Sequence, residues 1–93
     1  MDNARFEADL ASDGYDRIET KRLAAGTCTA EHDHPFAVRA LVLEGEITIS
    51  IAGVARSYAT GDVFTVAGGC RHAEQVGAEG VTYVVGRRDV APG

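Results

Sequence analysis

Glu46-Ile47-Thr48-Ile49-Ser50-Ile51-Ala52 is the most regular run in the chain. Ile47, Ile49 and Ile51 share one side of an extended backbone, and Glu46, Thr48 and Ser50 share the other. A strand written this way has one buried face. Outward from it, turn signals recur every 8–10 residues: Ala25-Gly26, Glu44-Gly45, Gly53, Thr60-Gly61-Asp62, Gly68-Gly69 and Gly77-Ala78-Glu79-Gly80. The intervals between them predict strands near 16–24, 27–33, 37–43, 46–52, 54–59, 63–67, 72–76 and 81–87. Many short strands, evenly spaced and separated by glycine, argue for a sandwich or barrel. Ahead of them, Phe6 and Leu10 lie four apart within 4–11, the spacing of one or two turns of helix. The expected fold is therefore all-β, with residues 1–14 as an N-terminal extension carrying a short helix and residues 15–93 as the barrel.

Composition narrows the function. The chain of 93 residues is 45% hydrophobic and 25% charged, ordinary for one globular domain. At that length only about 60–65% of the unfolded chain's surface is buried, so dimerisation or a bound metal would support the core. The net charge of −5 is spread along the chain. The single basic cluster, Arg87-Arg88, reads as a solvated strand end, and nucleic-acid binding is not expected. No apolar run nears the roughly 20 residues that span a bilayer, and the first residues lack a basic start leading into an apolar block. A cytoplasmic location is the expectation, with Cys28 and Cys70 as reduced thiols.

The chemistry points to three histidines, His32, His34 and His72, the full complement of the chain. In a strand, residues i and i+2 point to the same side, about 7 Å apart. Two imidazoles so placed can converge on one ion at about 2.0–2.2 Å. A third from a distant strand would complete a facial set and leave positions open, the mark of a catalytic rather than a structural site. His-x-His alone is a weak signal, since two histidines on an exposed strand look the same.

The surroundings strengthen it. Gly26 is followed by five residues and then His32-Asp33-His34, with a closing glycine at Gly45. Gly61 is followed by five residues, then Ala67, Gly69 and His72. Over residues 26–76 this pattern resembles the two motifs of the cupin superfamily, with Ala67 in the proline slot and all three histidines on the family's histidine slots. The resemblance implies a double-stranded β-helix, or jelly-roll barrel, around one divalent transition metal held by His32, His34 and His72. There are two departures. The slot for the acidic ligand holds Val38, or Arg39 with the longer spacing, and neither side chain can donate a lone pair. The final asparagine slot holds Val76. The chain thus resembles the three-histidine cupins that lack the carboxylate. Such a site should leave more of the ion's charge uncancelled and favour an anionic substrate.

Alternation suggests further candidates. Glu74 shares a side with His72 and is a candidate ligand, hydrogen-bond partner or catalytic base, against the plainer reading of a solvated carboxylate at the barrel mouth. Arg39 would serve substrate binding if a bulge turned it inward, while simple alternation points it outward. Cys28 falls on the side of His32 and reads as a small core residue, Cys70 as a packing residue before His72, and Tyr58 and Tyr83 as barrel wall. Glu31 and Asp33 should face away from the histidines.

Two functions are expected nearly level, beside the plainer reading of a degenerate cupin whose metal is incidental. One is a non-haem metalloenzyme acting on a small, anionic molecule: three-histidine cupins include dioxygenases, and the scaffold also supports isomerases. Iron suits an enzyme of this kind, while imidazole chemistry also permits Ni, Zn, Mn or Cu. The other is a non-catalytic module that binds or senses a small molecule. Cupins commonly pair edge strands into homodimers, and the run 16–24 is the expected edge.

Overall fold

A computed structural model describes residues 2–89 of the chain; Met1 and residues 90–93, the ends of the two expected segments, lie outside the described residues. Helix α1 (Asn3–Ser12) comes first, followed by β1 (Asp16–Leu23), β2 (Cys28–His32), β3 (Phe36–Ile51), β4 (Val54–Ala59), β5 (Val63–Val66) and β6 (His72–Asp89). Every strand pairing among the described residues is antiparallel.

The two long strands organise the molecule. The first part of β3 lies between β5 and the second part of β6, and β1 extends that sheet beyond β6. The second part of β3 lies between β4 and the first part of β6, with β2 beyond. The result is two four-stranded halves, β1-β6-β3-β5 and β2-β6-β3-β4, joined through β3 and β6 and enclosing one core, a double-stranded β-helix. Ala40, Val42, Ile47, Ile49, Val76 and Val81 fill its centre, with Phe64 and Val66 from β5 and Tyr83 from β6.

The sequence pattern predicts eight strands, and the described residues form six, because two expected turns are bends. Leu43 is an extra residue in the β3–β6 ladder, and Gly77-Ala78-Glu79-Gly80 is a longer excursion on β6 opposite Gly45 and Ile47. Hydrogen bonding resumes between the same two strands on the far side of each irregularity, so the chain turns a corner without reversing. Each bend also exchanges inner and outer faces. Val38, Ala40 and Val42 point inward before it on β3, and Ile47 and Ile49 after it; on β6, His72, Glu74 and Val76 give way to Val81 and Tyr83. Gly45 is required at the corner. Its φ is +80°, and a Cβ there would stand 2.0 Å from the Gly80 carbonyl oxygen.

Helix α1 is longer than the one or two turns expected: ten residues, nearly three turns. Asp2 caps it, accepting from the Arg5 amide at 2.7 Å, and Gly14 ends it at φ +83°. Phe6 and Leu10 are buried on the outer face of the β1-β6-β3-β5 half, where they join Tyr15, Leu41 and Val84 in a second apolar cluster. The helix therefore covers the sheet's outer face and takes no part in the barrel cavity. Among the described residues, no helix is long and apolar enough to cross a membrane.

Candidate metal centre

β2 and β6 bring the separated histidines together. His32 and His72 are direct cross-strand partners, and His34 follows in the turn to β3. Ring centroids are 4.4 Å apart for His32 and His72, 5.0 Å for His34 and His72, and 5.8 Å for His32 and His34. One nitrogen from each ring lies within 4.8 Å of the others. His72 is 2% exposed, and the other two are half-buried.

The backbone sets the tautomer of all three. Nδ1 of His32 donates to the Ala30 carbonyl, Nδ1 of His34 to Phe36 and Nδ1 of His72 to Cys70, each at 2.9 Å. A carbonyl oxygen only accepts, so each Nδ1 carries the hydrogen. A neutral imidazole held in this way keeps its lone pair on Nε2, the arrangement of a metal-ligating histidine oriented by a backbone carbonyl.

Glu74 stands against this group. Its Oε2 is 3.7 Å from Nε2 of His32 and 3.7 Å from Nε2 of His72. With the imidazoles neutral, lone pairs and a carboxylate oxygen face one another, a donor set suited to a cation between them. The three histidines can hold a metal ion, and Glu74 returns to the site a negative charge that the acid slot lacks. Val38, in that slot, lines the cavity as an apolar wall.

The cavity beside the histidines measures about 210 Å³. Phe36, Val38, Phe64, Val66 and Val85 make it apolar, Tyr83 adds a phenol and Lys21 an ammonium at its edge. Burial, followed by the negative charges of Glu74 and Glu19, raises the pKa of Tyr83 to about 12, so its hydroxyl keeps its proton.

Arg39 is not brought to the cavity: the β3 register is regular from Phe36 to Val42, so alternation carries it to the outer face. There it donates to Asp13 at 2.6 Å and lies 4.7 Å from the centre of the Tyr15 ring. Cys28 is exposed rather than a core residue, because a bulge between Thr29 and His32 resets alternation and sets Cys28 opposite Gln75. Cys70 packs against the core, and its carbonyl holds His72. Tyr58 also packs against the core. Glu31 faces away, bonded to Arg71 at 2.7 Å; that hydrogen bond and the carboxylate's charge raise the pKa of Arg71. The pair ties the end of β2 to the residue before His72.

Two groups escaped the sequence reading. Lys21, opposite Tyr83 on β1, reaches the cavity edge. Arg87, expected at a solvated strand end, is half-buried, with its guanidinium 4.5 Å over the Phe36 ring; its neighbour Arg88 is exposed. The available signal was the odd-numbered series Tyr83, Val85, Arg87 on the inner face of β6.

Comparison with solved structures agrees on the fold. The cupin domain of Cnp3 from Schizosaccharomyces pombe superposes with a TM-score of 0.71 at 16% identity, over 78% of this chain and 55% of that one. An RmlC-like cupin from Shewanella frigidimarina gives 0.65 at 20% identity, covering 80% of this chain and 67% of the other. An uncharacterised protein with a double-stranded β-helix domain from Klebsiella pneumoniae gives 0.67 at 22%, over 82% and 69%. No family model and no curated protein matches the sequence. The chain is a small cupin-fold barrel with a three-histidine site, and it spans about half the length of the Cnp3 domain structure.

Proposed function

We propose that this protein is a non-haem metalloenzyme of the dioxygenase type, acting on a small anionic molecule beside an iron ion held by His32, His34 and His72. The observation that carries the reading is a shared arrangement: three imidazoles from two parts of the chain are each tied at Nδ1 to a backbone carbonyl, with one ring nitrogen of each within 4.8 Å of the others. A bound divalent ion would supply Lewis acidity and, if iron, redox chemistry with dioxygen.

The chain's own residues supply the rest. Phe36, Val38 and Phe64 exclude water from one side of the cavity and bind an apolar part of the substrate. Glu74, with an oxygen close to two imidazoles, is placed either to join the ligand set or to take a proton from a substrate acid or enol. Tyr83 stays protonated and offers a hydrogen bond to a developing negative charge. Lys21 at the rim favours an anionic substrate.

Two measurements test this reading. Protein purified without oxygen should contain about one transition metal per chain, and His72→Ala should remove it; unchanged metal content in that variant would falsify the site. Oxygen uptake across a panel of thiols, β-diketones and hydroxy acids then tests for catalysis. Metal and ligand binding without turnover would instead identify a binding or sensor module.

A further inference from the structure

We infer that a second cavity, adjoining the histidine cavity, is an oxyanion subsite, so that the molecule taken by this protein carries a carboxylate or phosphate at the end remote from the imidazoles. The inference deepens the function proposed above and rests on it for the position of the reacting end.

The two cavities share Lys21, Phe36, Val38 and Val85 as walls. The second, about 270 Å³, adds Arg17, Glu19 and Arg87. Its lining therefore has three cationic groups to one carboxylate, and Glu19 is already engaged with Lys21 at 3.4 Å. In a chain of net charge −5, that local surplus of positive charge runs against the whole.

Two details indicate a built site rather than a chance cluster. The first is Arg87. It pairs with Val38 in the sheet and shares the inner face with Tyr83 and Val85. Its Nε is buried without a hydrogen-bond partner among the described residues. A buried N–H without an acceptor is costly and leaves the guanidinium short of partners, and an oxyanion in the cavity that Arg87 lines can accept from its planar fork. The Arg87 guanidinium rests on Phe36, and Phe36 stacks on His34 with centroids 4.3 Å apart and planes 4° from parallel. One continuous stack thus links the cation to a candidate metal ligand.

The second detail is Arg17. Its φ is +50°, in the left-handed region that a residue with a Cβ rarely adopts, and it sits in the bulge between Asp16 and Glu19 on β1. Bulges re-aim side chains and are frequent beside functional sites. Here the bulge sets Arg17 on the wall of the second cavity. The ligand defined by this geometry has an apolar middle against Phe36, Val38 and Val85, an oxyanion at Arg87 and Arg17, and a chelating head at the histidines.

The test titrates hexanoate, hexyl phosphate and neutral hexanol into the full chain after chelator treatment, following the backbone amide resonances and, where Arg87 is present, its Nε–H resonance by nitrogen-15 NMR. Both anions should bind about tenfold more tightly than hexanol and shift that resonance, as charge-assisted hydrogen bonds require. Arg87→Gln, and separately the rim variants Lys21→Gln and Arg17→Gln, should each weaken the anions by about fivefold while leaving hexanol unchanged. The rim variants keep the test decisive if Arg87→Gln does not fold. The better-bound anion identifies carboxylate or phosphate as the recognised group. Equal binding of anions and hexanol, or anion affinity indifferent to the substitutions, overturns the subsite. Because the chelated chain holds no ion, anion binding there is independent of the metal reading: retained anion binding with no metal uptake would sink only the proposed function.

Discussion

Three nitrogens, one on each histidine, carry the proposed chemistry at the scale of single residues. Each Nδ1 donates to a main-chain carbonyl, which costs no additional side chain and leaves Nε2 as the atom that could ligate an ion. Glu74 and Tyr83 share the cavity with them, and their coupling can be measured. An acid whose folded pKa is raised contributes stability below its unfolded pKa and loses it as pH rises through the folded value. For Tyr83 that window runs from 10.0 to about 12. In the metal-free protein the phenolate absorbance of Tyr83 should therefore appear only as pH nears about 12, with stability falling across the same interval. Glu74→Gln should move that titration downward while burial keeps it above the ordinary value. An unchanged Tyr83 titration in Glu74→Gln would show that the two groups do not interact.

At the scale of elements, the decisive features are the corners in β3 and β6. Gly45 and Gly80 meet back to back where the strands bend, and the ladder resumes on the other side with its faces exchanged. Without that exchange, Val42 and Ile47 could not both point into one core. Gly45→Ala would place a methyl group against the Gly80 carbonyl and force a left-handed φ on a residue with a Cβ. Its expected cost is roughly 2–5 kcal/mol, the sum of a backbone strain and an overpacking penalty. Urea unfolding should show a lower midpoint with an unchanged slope. A variant as stable as the parent would mean that the corner has slack the geometry does not suggest.

For the whole molecule, small size makes ligand linkage visible. A barrel of this length has a modest core, and its histidine site is built by β2, β6 and the turn before β3. A metal that binds only the folded chain adds about 2.7 kcal/mol at a free concentration of 100 times its Kd. For a domain of this size that corresponds to a rise in Tm of roughly 10–20 °C. Calorimetry should show the rise with added metal, its reversal by a chelator and its absence in His72→Ala. A Tm indifferent to metal in the parent chain would place the histidines outside any ion-binding role.

Local pattern was enough for part of this protein. The alternation at 46–52, the recurring glycines and the two spaced histidine motifs marked an all-β barrel of cupin type and named all three imidazoles, because side-chain periodicity and turn chemistry are written in neighbouring residues. Tertiary structure decided which glycines turn the chain and which only bend it, since that depends on whether the same partner strand is met again beyond the irregularity. It also decided which charged groups reach the cavity. A single extra residue, at Leu43 or between Thr29 and His32, exchanges inside for outside, so alternation counted from one landmark fails past a bulge. Cys28 was lost to the surface in this way, while Arg39 followed simple alternation outward. Arg87 and Lys21 reached the cavity walls from opposite sheet positions that only the pairing of β6 with β1 and β3 defines.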